Sequence, residues 1–74
     1  MSKLDDKTRY IICVIGEFAR QFTLSNVQAY RYLREYKGLS FLTRHYQIEH
    51  TLSLQDAVED AAIVCQRNGG ALTL

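Results

Sequence analysis

Between Tyr10 and Phe22, Ile11, Val14, Ile15, Phe18 and Phe22 recur at helical spacing, while Arg9, Cys13, Glu17 and Arg20 fall on the opposite side. A period of about 3.6 residues is that of a helix with one buried face. Asp5 or Asp6 stands where an N-cap is needed, and a carboxylate there meets the positive end of the helix. No proline occurs in the 74 residues to interrupt such an element. A stripe this strong has to be covered by other helices. The expected fold class is therefore all-α: a compact bundle of three to four helices forming one domain over residues 1–74, with a flexible C-terminal tail over 69–74.

Start and stop signals place the remaining helices. Thr23 or Ser25 caps a second helix that ends at Gly38, with Lys37 in its last turn. Val27, Ala29, Tyr30, Leu33 and Tyr36 make its broad core face, Arg31 and Glu35 lie opposite as an i,i+4 pair, and Tyr32 sits on the border. A short third helix, capped by Ser40, covers Phe41 to about Ile48, with Phe41, Leu42, His45 and Tyr46 as its apolar or aromatic contacts. Ser53 with Asp56 approximates the capping box of a fourth helix that stops at Asn68-Gly69. Leu54, Ala57, Val58, Ala61 and Cys65 form its buried face, and Ala57, Ala61 and Ala62 admit a close neighbour. Ile63 falls on the polar face, amid Asp56, Glu59, Asp60 and Arg67. In the tail, Leu72 and Leu74 fold back onto the core or extend into a partner.

Size and charge narrow the functions open to such a chain. A domain of this length buries only ~60% of its unfolded surface, so its stability is marginal. Nine Lys/Arg against eight Asp/Glu leave a net charge of +1, which disfavours nucleic-acid binding through a general basic field. The apolar run Tyr10–Ile15 is far shorter than the ~20 residues of a membrane span. Met1–Asp6 lacks the basic-then-apolar build of a signal peptide. A cytoplasmic protein with Cys13 and Cys65 reduced is expected. Those cysteines with His45 and His50 are the one conceivable metal set, and they lack CxxC, HxxxH or HExxH spacing. Neither cysteine stands in a context that would activate it as a nucleophile. Asp56, Glu59 and Asp60 read as a solvated face near a helix N-terminus rather than as an acid/base pair. No metal, no cofactor and no enzymatic activity are expected.

Five of the eight aromatics lie between Tyr30 and Tyr46, interleaved with Arg31, Arg34, Lys37 and Arg44. Helix packing claims Tyr30, Tyr36, Phe41 and Tyr46. The expected exposed remainder, Tyr32, Arg34, Arg44 and His50, is the candidate partner-binding set, because Tyr and Arg dominate interface energetics. The simpler reading of His50 is a hydrogen-bonded residue that fixes the connection between helices. Ile63 joins the set as a subunit contact, which keeps a homodimer open. Helices two and three also permit a helix-turn-helix reading, with Ser40–Ile48 offering Arg44, His45 and Gln47 to bases. The functional expectation is a non-catalytic protein-binding module, and the alternative is a DNA-binding autoregulator.

Leu24-Ser25, Ala29, Leu33, Tyr36, Leu42, Tyr46, His50-Thr51, Val58 and Asp60 follow an order that resembles a family of short bacterial helical proteins of unknown function, with the pattern LS…Y…LHT. The likeness spans about Thr8 to Val64, and His50-Thr51 after an aromatic-rich helix is its firmest part. Lys37-Gly38-Leu39 replaces the family's usual turn order, and Glu49 stands where a leucine is common. Genes of that family often lie beside one for an ADP-ribosyltransferase-like protein, in toxin–antitoxin-like pairs. The resemblance therefore implies an accessory or neutralising protein whose partner is another protein, and it brings no catalytic residues.

Overall fold

Asp5 sets the first helix. Its extended backbone lets the side chain accept the Thr8 N–H at 2.7 Å, satisfying a donor the helix leaves free. The computed structural model describes residues 5–72, and all regular structure among them is helical. The order is α1 (Asp6–Phe22), α2 (Asn26–Glu35), α3 (Gly38–Arg44), α4 (Tyr46–Glu49) and α5 (Leu54–Arg67). The Cα radius of gyration, 11.6 Å, matches the ~11 Å of a compact chain this long. A helical bundle is thus what forms, with the expected third helix divided in two.

Thr23 ends α1 in the left-handed region at φ 56°, and the Leu24 N–H closes on the Ala19 carbonyl at 2.8 Å. Ser25 then starts α2 with a complete capping box: its hydroxyl accepts the Gln28 N–H at 3.0 Å, and the Gln28 side chain accepts the Ser25 N–H at 2.8 Å. Ser53 caps α5 by accepting the Asp56 N–H at 3.0 Å, the half of a capping box that serine supplies alone. Asn68 closes α5, and Gly69 follows at φ 95°.

The core is built from single faces. Val14 and Phe18 of α1, Ala29 and Leu33 of α2, Leu42 of α3, and Ala57, Val58, Ala61 and Cys65 of α5 are fully buried. Ile11, Ile15 and Phe22 flank this centre half-buried. On α5 the stripe includes Ala62 and leaves Leu54 40% exposed, one turn off its expected end. On α2 the buried line runs through Ala29, Tyr32, Leu33 and Tyr36, the i, i+3, i+4, i+7 spacing of a narrow stripe. Val27 and Tyr30, expected inside, therefore face outward at 59% and 41% exposure. Arg31 and Glu35 form no ion pair; the ion pair found among the described residues is Glu17–Arg20. An exposed arginine preceding glutamate at i,i+4 is the weaker orientation, worth a few tenths of a kcal/mol at most.

The expected stop of α2 at Gly38 is also corrected. Tyr36 caps the helix, Lys37 takes the left-handed turn at φ 71°, and Gly38 is already the first residue of α3. Gly38 is there for space. A Cβ on it would lie 2.7 Å from Leu33 Cδ2 and 2.8 Å from Cys65 Sγ, both on fully buried side chains. The backbone of α3 thus enters wedged between α2 and α5. Burial holds the Cys65 thiol up at about 11, so it behaves as a small apolar residue; Cys13 is exposed.

Part of the tail beyond α5 is docked. Gly70 is buried, and its N–H donates to the Cys65 carbonyl at 2.9 Å. Leu72 packs against the core, the first of the two outcomes expected for the tail leucines, while Thr73 and Leu74 lie outside the described residues.

Substituting Gly38→Ala is expected to destabilise the fold by about 1–3 kcal/mol, since two packed side chains must move. Gly16→Ala is the control: nothing lies within 4 Å of its Cβ position, and helix propensity predicts a gain of about 1 kcal/mol. Urea denaturation measures both, and a neutral Gly38→Ala would contradict the wedge.

Candidate functional site

The aromatic and basic stretch separates into two exposed surfaces once the helices are placed. On the outer face of α2, Val27, Tyr30 and Arg34 follow one another at i, i+3 and i+7, so they line one side. The Arg34 guanidinium lies over the Tyr30 ring, 5.4 Å from its centroid, an arrangement that fixes a long side chain against an aromatic plate. Both residues are exposed.

Tyr32, expected to be exposed, is corrected. Its ring packs 5.8 Å from Phe18 and 4.9 Å from Tyr36, and its hydroxyl is buried without a hydrogen-bond partner. Gly70 makes the room, because a Cβ there would come within 2.6 Å of the Tyr32 hydroxyl oxygen. Tyr32 belongs to the joint between α2 and the tail. Tyr30 takes the exposed place that the wheel reading gave to Tyr32.

The second surface lies along α3. The helix breaks at His45, whose N–H reaches the Phe41 carbonyl at 2.9 Å, and α4 restarts at Tyr46. Phe41 and His45 pack ring to ring at 5.1 Å. Arg44 and His45 are exposed, and Lys37 and Arg44 border an open hollow of about 290 Å³ between α3 and α5. The helix expected over Phe41–Ile48 is thus two short pieces, and Gln47 sits on the second.

His50 closes α4. Its ring stacks on Tyr46 at 4.6 Å and 18°, and Nδ1 lies 2.8 Å from the Tyr46 carbonyl oxygen. A carbonyl only accepts, so Nδ1 carries the proton in this contact. The Thr51 hydroxyl donates to the Ile48 carbonyl at 2.6 Å. The His-Thr pair therefore binds up the carbonyls at the end of a four-residue helix, while its outer edge stays exposed. Ile63 is 46% exposed on the polar side of α5, apart from the other sequence-derived residues along the chain.

Glu49 is the residue that charge patterning missed. It is 95% buried by its 5% exposure, in the position one heptad after the fully buried Leu42. Its Oε1 and the Tyr10 hydroxyl are both buried without hydrogen-bond partners. Tyr10 in turn meets Tyr46 edge-on at 5.5 Å, and the Lys7 ammonium lies 5.9 Å over the far aromatic, Tyr46. Burial pushes the Glu49 carboxyl up to about 7, and the neighbouring Asp60 and Asp56 carboxylates act in the same direction. Tyr10 is pushed to about 12, by burial first and then by Glu49 and Asp60. Asp60, expected on a solvated face, is half-buried; Asp56 and Glu59 are exposed. The signal that could have found Glu49 was the leucine usual at that place in the resembling pattern.

A proton-holding carboxyl beside a second carboxylate has the raw chemistry of an acid/base pair. Here neither the hollow between α3 and α5 nor a second one bordered by Lys7, Leu39 and Thr43 is lined by Glu49, Tyr10 or Asp60. Among the described residues, no group of three or more His, Cys, Asp and Glu is arranged to hold a metal ion. No described helix is long and apolar enough to cross a membrane.

Folding favours the protonated form of Glu49. Its contribution to stability is complete below the ordinary value of 4.5 and is lost as pH rises through about 7. Asp5 and Glu17, held low by the Thr8 N–H and by Arg20, act in the opposite sense at more acid pH. The chain is therefore expected to be more stable at pH 5 than at pH 8. Glu49→Leu should gain about 1–3 kcal/mol at pH 8 and less at pH 5, by removing an unsatisfied buried carboxyl. Urea midpoints at the two pH values decide this, and equal midpoints for the parent chain would refute it.

Comparison with known proteins gives one family. No curated protein and no solved structure matches the chain. Residues 9–68 match the family described as protein of unknown function (DUF3791). That span runs from α1 to the cap of α5 and takes in the wedge at Gly38, the His50-Thr51 closure and the buried Glu49. With most of its length matched, the chain belongs to the DUF3791 family.

Proposed function

We propose that this protein is a small non-catalytic binding module whose partner is another protein. The observation that carries the reading is the outer face of α2, where Val27 and Tyr30 are exposed and Arg34 is stacked on Tyr30. A tyrosine and an arginine held in place lose little conformational freedom on association, and they are the residue types that anchor interfaces. Neither side chain belongs to the core cluster or packs against it.

The resemblance drawn from the sequence adds the identity of a first partner to try. In a bacterial cytoplasm the chain would act as the antitoxin-like companion of an ADP-ribosyltransferase-like protein encoded by the adjacent gene. The DNA-binding alternative is less well supported: the recognition helix it needs is divided at His45, leaving seven residues in α3. The break also divides Arg44, His45 and Gln47, the residues offered to bases, between α3 and α4, so they do not share one helix.

Co-expression with the product of the adjacent gene, followed by size-exclusion chromatography and calorimetry, tests the proposal. A stable complex is expected, with Tyr30→Ala and Arg34→Ala each weakening it at least about tenfold, or ~1.4 kcal/mol. Tyr32→Ala should instead reduce stability, because that ring is packed. If the two proteins elute separately, the partner assignment fails.

A further inference from the structure

Two open hollows adjoin along α3 and share Ser40 and Arg44. The first, about 290 Å³, lies between α3 and α5, with Lys37, Phe41 and His45 on one side and Val64 and Asn68 on the other. The second, about 620 Å³, extends past Leu39 and Thr43 to Lys7. Together they form a trough across the helix. Lys7, Lys37 and Arg44 stand along it with His45, and no carboxylate lines it among the described residues. None of the three cations has an acidic partner within ion-pair distance among those residues. The acidic side chains of α5, Asp56, Glu59 and Asp60, line neither hollow.

The geometry points to this trough as the docking site for an acidic peptide segment of the protein partner, with carboxylates spaced among apolar side chains. The inference rests on the protein-binding reading above and adds the chemistry of what is bound. Three considerations select the occupant. The unpaired cations call for anionic groups, and their spread along a trough calls for several anions on one chain rather than a single ion. Leu39, Phe41 and Val64 between them call for apolar groups in alternation with the charges. A nucleic acid fits less well, because three cations in a chain of net charge +1 neutralise few phosphates. Lys37 also has a fixed place: its left-handed backbone at φ 71° is set by the turn into Gly38, which anchors the start of its side chain at the trough's end.

The test uses the full chain, isotopically labelled, with three probes: a 12-residue peptide repeating Glu-Glu-Leu, its Lys-Lys-Leu counterpart, and a 12-nucleotide oligothymidine. Amide shifts over residues 37–45 and 64–68 are expected with the acidic peptide alone. The double charge reversal K37E/R44E, at two exposed positions, should weaken that binding about tenfold or more, and added salt should weaken it similarly. No shift at millimolar acidic peptide overturns the inference. So does a stronger response of the same amides to oligothymidine, which would make the trough a nucleic-acid site. Concentration-dependent dimerisation abolished by K37E/R44E would overturn it in favour of a second copy of this chain. The co-expression assay separates the two proposals: K37E/R44E binding the adjacent gene product as tightly as the parent chain sinks the trough and leaves the binding module standing. Peptide binding by a chain that ignores that product sinks only the partner assignment.

Discussion

Everything in this small fold turns on how closely α3 approaches its neighbours at Gly38. The missing side chain lets the backbone sit against Leu33 and Cys65, two residues at the centre of the core. Once the start of α3 is fixed there, Leu42 reaches the core one turn later and Lys37 is committed to a left-handed turn. The alanines of α5 serve the same end, since a helix with Ala57, Ala61 and Ala62 on its inner face allows short interhelical distances. A domain of this size has little apolar area to bury, so close packing of small residues must supply what bulk cannot.

That geometry sorts the aromatics. Tyr32 and Tyr36 are drawn inward with Phe18, and Tyr10 and Tyr46 form a second aromatic contact at the α1–α4 end. Tyr30 is left over and is turned outward with Arg34. The proposed working surfaces are thus what remains after packing: one aromatic–cation face on α2 and one cation-lined trough on α3, with Arg34 and Lys37 three residues apart between them.

Glu49 runs against the economy of the rest. A carboxyl buried beside Asp60 and Tyr10 holds its proton up to about pH 7 and lowers stability above that value. A leucine would fill the same place at less cost. Glu49 lines neither hollow along α3, and no ion pair among the described residues joins it to Lys7, Lys37 or Arg44.

The sequence by itself determined the helical class, the cap at Ser53, the first two caps to within a pair of neighbouring candidates each, and the core stripe of α1 with most of that of α5, because hydrogen-bonding at helix ends and 3.6-residue periodicity are local properties. It also placed Arg34, Arg44, His50 and Ile63 on the outside. The tertiary structure decided what local rules leave open. On α2, a 3.6-period wheel fits two neighbouring stripes, and only the position of Phe18 and the tail selects the one that buries Tyr32 and exposes Tyr30. Gly38 looked like a helix stop because glycine serves turns; its true constraint, the Leu33 and remote Cys65 side chains occupying the place a Cβ would need, exists only after folding. The burial of Glu49 has the same origin, since a charge is placed inside by the helices that close over it and not by its own sequence neighbours.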